Sequence, residues 1–301
     1  MTREGVPPAT DRQVRQALAL HAYRRNHVRI VDRDLAGFRC LVASRRGLFA
    51  VSPQASKLVA YGQFFGLRRS DDLLYAFEAC DLRRGPSRLG RVLRLRLDGD
   101  RLRDEAVIAT GLDNRCHQLA LIGPHICVVD TANQSIVRLT LDGAAVDTRR
   151  PFGDPVRDGY RHINAIARID GATLVMLHNG GEGPPRPSEL AWLDDAWRVV
   201  QREALPGHGC HDIIADQDGL LWHCGSMDGE LLNSAGLRVK VSDRLTRGLA
   251  ITRESILVGT SRFALRRART DVGGSVLFLD RDLRRLAEVE VDGAPTEIAL
   301  L

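Results

Sequence analysis

The sequence predicts an all-β chain folded as a single β-propeller of six blades, each a four-stranded antiparallel sheet, with a short N-terminal helix. Three observations carry this: a recurring motif, the spacing of its recurrences, and strand-like texture within each unit. The motif Arg115-Cys116-His117-Gln118-Leu119-Ala120-Leu121 returns as Arg161-His162-Ile163-Asn164-Ala165-Ile166 and as Gly209-Cys210-His211-Asp212-Ile213-Ile214-Ala215. Without the histidine it returns as Thr246-Arg247-Gly248-Leu249-Ala250-Ile251, and a last echo is Thr296-Glu297-Ile298-Ala299-Leu300. Each copy is a turn, a polar residue and a short apolar run, the pattern that opens an inner strand of a repeated sheet. Successive copies lie 45, 49, 36 and 49 positions apart, and a period of about 40 to 50 residues built from β sequence is that of a propeller.

The elements follow in order. Residues 1–35 form a helix and lead-in, with Asp11 as cap and Val14, Ala17, Leu18 and His21 at helical spacing, and residues 36–301 form the propeller. The first blade takes strands at Phe38 to Ala43, Gly47 to Val51 and Lys57 to Tyr61, with turns at Arg45-Arg46-Gly47 and Ser52-Pro53-Gln54. The second takes Phe64 to Arg68, Leu73 to Cys80, Val92 to Leu97 and Ala106 to Ala109, with a basic loop from Asp81 to Arg91. The third is marked most clearly, its strands starting at His117, His125 and Ile136 between turns rich in Gly, Pro and Asn. The fourth starts at His162 and carries a rim loop from His178 to Pro187; the fifth starts at His211 and the sixth at Arg247. Ile298 to Leu301 is expected to complete the first blade, which would close the ring and remove a sheet edge.

Composition narrows the classes. An apolar fraction of 44% suffices for a core, and the net charge of +5 is spread along the chain rather than gathered into blocks interleaved with aromatics, so nucleic acid is not an expected partner. Six cysteines without paired spacing make no disulfide framework. No secretory leader pattern and no run of roughly 18 apolar residues is present, so no membrane partner and a cytoplasmic location are expected.

The repeat texture resembles the six-bladed propellers of the gluconolactonase and strictosidine-synthase kind, the seven-bladed streptogramin lyases, and a group of uncharacterised bacterial propellers. The resemblance implies functional residues at the channel mouth on one face. Where the lactonases place Glu, Asn and Asp around calcium, this chain offers His117, His162 and His211.

In a propeller the starts of inner strands and the ends of the following strands share one face. On that geometry His117, His162 and His211 converge as ligands of a divalent transition metal (Zn, Fe, Cu, Ni or Mn) with open positions. His178, His223, Asp212 and Glu297 are the candidate proton-moving residues, and Arg161, Arg247 and Arg262 the candidate binders of an anionic group on a small molecule or peptide. Arg266, Arg267 and Arg269 follow on the same loop. The expected activity is a metal-dependent lyase, hydrolase or isomerase, or an oxygenase if the metal is Fe or Cu. The alternative is a non-catalytic propeller that binds or scaffolds through the same face, with structural histidines. Cys116 and Cys210 each precede a site histidine; alternation along a strand turns them away from the channel toward packing, against a Cys-His nucleophile pair.

Overall fold

The computed structural model describes residues 10–81, 87–180, 186–263 and 272–301. The first blade contains β1 (Arg29–Ile30), β2 (Cys40–Ser44), β3 (Gly47–Val51), β4 (Ser56–Tyr61) and, brought from the far end of the chain, β25 (Pro295–Leu300), in the order β1-β4-β3-β2-β25. The second is β5 (Phe64–Ser70), β6 (Leu73–Ala79), β7 (Gly90–Asp98) and β8 (Arg101–Leu112). The third is β9 (Gln118–Ile122), β10 (His125–Asp130), β11 (Ser135–Thr140) and β12 (Ala145–Arg149). The fourth is β13 (Ile163–Ile169), β14 (Ala172–Leu177), β15 (Glu189–Leu193) and β16 (Val199–Ala204). The fifth is β17 (His211–Ala215), β18 (Leu221–Gly225), β19 (Glu230–Asn233) and β20 (Arg238–Lys240), and the sixth is β21 (Leu245–Ile251), β22 (Ser255–Ser261), β23 (Gly274–Asp280) and β24 (Arg285–Val291). All pairings are antiparallel within six sheets, so the six-bladed propeller read from the repeat is the fold.

The inner strands β25, β5, β9, β13, β17 and β21 neighbour one another in that order around a ring, and β21 returns to β25. Closure is made by β25 on β2, in register from Cys40↔Leu300 to Ala43↔Glu297. Apolar side chains fill the gaps between blades: Leu41 and Leu48 meet Leu74 and Leu93 between blades one and two, and Val42 and Ile298 meet Val276 and Phe278 between one and six. The other gaps are filled the same way, for example by Ile126 against Phe77 and by Trp222 against Leu277. Each blade therefore uses both faces for burial, which explains its near-continuous apolar inner strands.

One helix, α1 (Asp11–Arg24), precedes the blades. Its cap is Thr10 rather than Asp11: the Thr10 hydroxyl accepts the Gln13 N–H at 3.3 Å, and the Gln13 side chain accepts the Thr10 N–H at 2.7 Å. This reciprocal pair satisfies two donors that Asp11 at the same place would satisfy only in part. Ala19 and Ala22 are buried, while Val14 and Leu18 face out. The helix is tied to blade two by Arg91, which is fully buried, pairs with Glu78 at 2.7 Å, and donates to the carbonyls of Ala22 (3.2 Å) and His27 (2.9 Å). Among the described residues no helix is long and apolar enough to cross a membrane.

Candidate functional site at the channel mouth

Local backbone geometry turns the repeated motif toward the channel. The inner strands slip register at Ile163/Ala165, His211/Ile214 and Thr246/Leu249, and His162 (φ 53°), Asp212 (φ 66°) and Gly248 (φ 84°) hold left-handed backbone there. Such bulges re-aim side chains at the rim of a sheet. His162 and His211 are turned in this way to meet His117, which precedes β9 without such a slip, and His178, from the end of β14, completes the group. The His117 and His162 rings meet edge-on with centroids 5.4 Å apart, His162 and His178 stack at 4.3 Å with 18° between planes, and His178 meets His211 edge-on at 5.3 Å.

That arrangement corrects the expectation of a metal centre. Imidazole ligates through an in-plane nitrogen lone pair, so ligands of one ion must point nitrogens at a common point. Here neighbouring rings offer faces and edges to each other. The Nδ1–H of His117 donates to the Arg115 carbonyl at 2.9 Å, and that of His211 to the Gly209 carbonyl at 2.8 Å beside Ser226 Oγ at 2.9 Å. Among the described residues, no group of three or more His, Cys, Asp or Glu side chains is placed to hold a metal ion. The divalent transition metal, with ligands His117, His162 and His211, and the metal-dependent lyase, hydrolase, isomerase or oxygenase activity built on it are therefore not supported.

Hydrogen bonding fixes the rings differently. A carbonyl only accepts, so His117 and His211 carry their proton on Nδ1 and a lone pair on Nε2. His178 is the reverse, because its Nδ1 accepts the Gly180 N–H at 3.0 Å and leaves the proton on Nε2 when the ring is neutral. Burial holds His117 and His211 well below the usual imidazole range, and the charge of Arg247 pushes each the same way. Both rings are neutral at pH 7. Gly209 belongs to this packing: its φ is 59°, and a Cβ there would lie 2.9 Å from His178 Nε2 and 2.8 Å from Met227 Cγ.

The imidazoles line a bowl of about 90 Å³ together with Arg45, Arg247, Arg262, Ser226, Ser261 and Thr296. Arg45 also stacks over the Phe65 ring at 5.0 Å. Arg247 and Arg262 thus stand where the sequence placed them. Arg161 stands outside the lining; its backbone N–H donates to Gln134 Oε1 at 2.6 Å. Arg266, Arg267 and Arg269 lie outside the described residues.

Behind the bowl the channel is plugged by polar side chains that link the inner strands. Gln118 Nε2 donates to Glu297 Oε2 at 3.1 Å while its carbonyl accepts the Ile166 N–H at 2.8 Å. Asn164 Nδ2 donates to the Cys210 carbonyl at 2.8 Å, and Asp212 Oδ2 accepts the Gly248 N–H at 3.0 Å. Arg68 Nη1 lies 3.1 Å from Glu297 Oε1, close enough for an ion pair but without hydrogen-bond alignment, so this buried oxygen has no hydrogen-bond partner. Burial raises Glu297 to about 7, opposed by Arg68 and reinforced by the Asp212 charge. Burial also raises Asp212, against the pull of Arg247.

The remaining sequence candidates are internal. His223 lies within β18 opposite Leu232, 7% exposed and away from the bowl lining, and burial lowers it to about 4. Cys116 and Cys210 are buried, and burial raises the first well above the ordinary thiol range and the second to about 11, so neither is a thiolate at neutral pH. Sequence reasoning missed Arg45, Arg68, Gln118 and Asn164. Gln118 stands one residue after His117 and Asn164 two after His162, so each is a polar residue at the start of an inner strand, a signal available in the repeat itself.

No protein-family model matches the sequence, and no curated protein matches it. Solved structures do. A protein of unknown function from Bacteroides caccae aligns with a TM-score of 0.58 at 9% identity, over 88% of this chain and 98% of that one. A nidogen/laminin complex contributes a chain with a TM-score of 0.58 at 14% identity, over 88% and 98%. A putative 6-phosphogluconolactonase from Bacteroides uniformis aligns at 0.52 and 14% identity, over 88% and 99%. At these identities the likeness, including that to the lactonase-type propeller, is one of fold.

Proposed function

We propose that the protein is a non-catalytic binding propeller whose channel-mouth bowl receives an anionic group carried by a small molecule or peptide. One observation carries this reading: Arg45, Arg247 and Arg262 line the same bowl as His117 and His211, whose rings are held neutral, so the guanidinium groups set its charge. Guanidinium forks match carboxylate and phosphate oxygens. His117 and His211 are then walls whose ring edges are fixed by backbone carbonyls, rather than groups that change state during a reaction.

The test is calorimetric titration of the full chain with glutarate and with inorganic phosphate. Binding is expected for at least one of them, and Arg247→Met should weaken it by roughly 10- to 100-fold, since a hydrogen bond to a charged group contributes about 1.5–3 kcal/mol. Absence of binding by both anions, or binding indifferent to a combined Arg45→Met and Arg247→Met change, overturns the reading.

A further inference from the structure

Large apolar side chains left exposed gather around the bowl. Met227 (50% exposed) lines it, Phe263 (58%) follows Arg262 at its edge, and Tyr160 (42%) sets its ring 5.6 Å from that of His162. An apolar group rimming a concave charged site marks a surface that something covers. The bowl itself holds only about 90 Å³, room for a group of few heavy atoms. A free small anion would fill it and leave Phe263 and Tyr160 in water. A carboxylate at the end of a side chain, with apolar neighbours along an extended backbone, would use both.

Resting on the anion-binding reading above, we infer that the partner is an acidic peptide segment. An aspartate or glutamate enters the bowl toward Arg45 and Arg247, and its apolar neighbours cover Tyr160, Met227 and Phe263. The net charge of +5 has the sign that attracts such a segment. Aromatic and arginine side chains around a central pocket are also the residue types that dominate binding energy at protein interfaces.

Phage-displayed random dodecapeptides panned on the full chain, beside glutarate calorimetry, test this. The expected result is enrichment of sequences with Asp or Glu between apolar residues, eluted by glutarate. A Phe263→Ser variant, checked for folding by circular dichroism, should bind a synthetic enriched peptide at least about tenfold more weakly while its glutarate affinity stays within about twofold. Glutarate binding without such enrichment, or peptide binding that ignores the Phe263→Ser change, overturns the peptide inference and leaves the anion reading standing. Failure of peptide alone overturns the peptide inference, and failure of glutarate, inorganic phosphate and peptide together removes both.

Discussion

Glu297 is the residue whose protonation the fold controls most directly. Its carboxyl is raised by burial to about 7, with Arg68, Asp212, Gln118 and Arg247 around it. In the unfolded chain it titrates near 4.5, so between those values the folded state binds more protons than the unfolded one. Its contribution to stability is therefore present at acid pH and is lost as pH rises toward 7. His117 and His211 act in the opposite sense, because their lowered values cost stability as pH falls below the ordinary imidazole range. The two effects overlap in a raw melting curve. The difference in melting temperature between Glu297→Gln and the parent separates them, and it should grow more positive as pH is raised from about 5 to 8; a flat difference would mean that Glu297 is ionised throughout. The positions of the histidines were legible because a repeat preserves them. Their role was not, since ring orientation depends on the left-handed backbone at His162 and on carbonyls two residues upstream of His117 and His211, neither of which residue type or spacing encodes.

Among the elements, α1 has little apolar anchorage for its length. It buries only Ala19 and Ala22; its buried polar tie is the Arg91–Glu78 pair with the two carbonyls that Arg91 reaches, beside more exposed bonds from Gln16 to the Cys80 carbonyl and from Tyr23 to the Arg88 carbonyl. Arg91→Met leaves Glu78 buried without its cation, a change that costs about 3–5 kcal/mol in comparable pairs. The measurable outcome is a lowered melting temperature together with faster amide exchange along Asp11–Arg24. The double change with Glu78→Gln should recover much of the loss, because the cost lies in the stranded charge more than in the missing bond. Exchange confined to the rest of the molecule would show that the helix is held by something else. The helix was visible in the sequence through its periodicity, yet the face it buries was not: Val14 and Leu18 look like the core stripe and are exposed, because two alanines allow a closer approach. The outer strand β20 escaped notice for a related reason, having one apolar residue, Val239, among exposed positions.

For the molecule as a whole, the repeat spacing was enough to give the ring, because each gap between blades has to be filled from both sides. What the spacing could not give was the contact between positions far apart in sequence, such as Gln118 with Glu297 or Arg68 with Glu297, which exist only once the circle is joined. The joint is β25 on β2. Removal of residues 295–301 would leave β2, still paired with β3 on one side, with an open edge of wholly buried residues on the other, and such edges template association. The truncated chain is expected to lose its single cooperative melting transition and to sediment as aggregates; a monomeric, cooperatively folding product would show that β25 is dispensable.

The joint also sets a time at which the site comes into being. Thr296 in the bowl wall and Glu297 in the plug both ride on β25. A nascent chain still short of that strand can assemble walls from the middle blades but has neither its last wall residue nor the acid behind it. The bowl is therefore complete only once β25 has been made and seated on β2, so an intact bowl reports a closed ring.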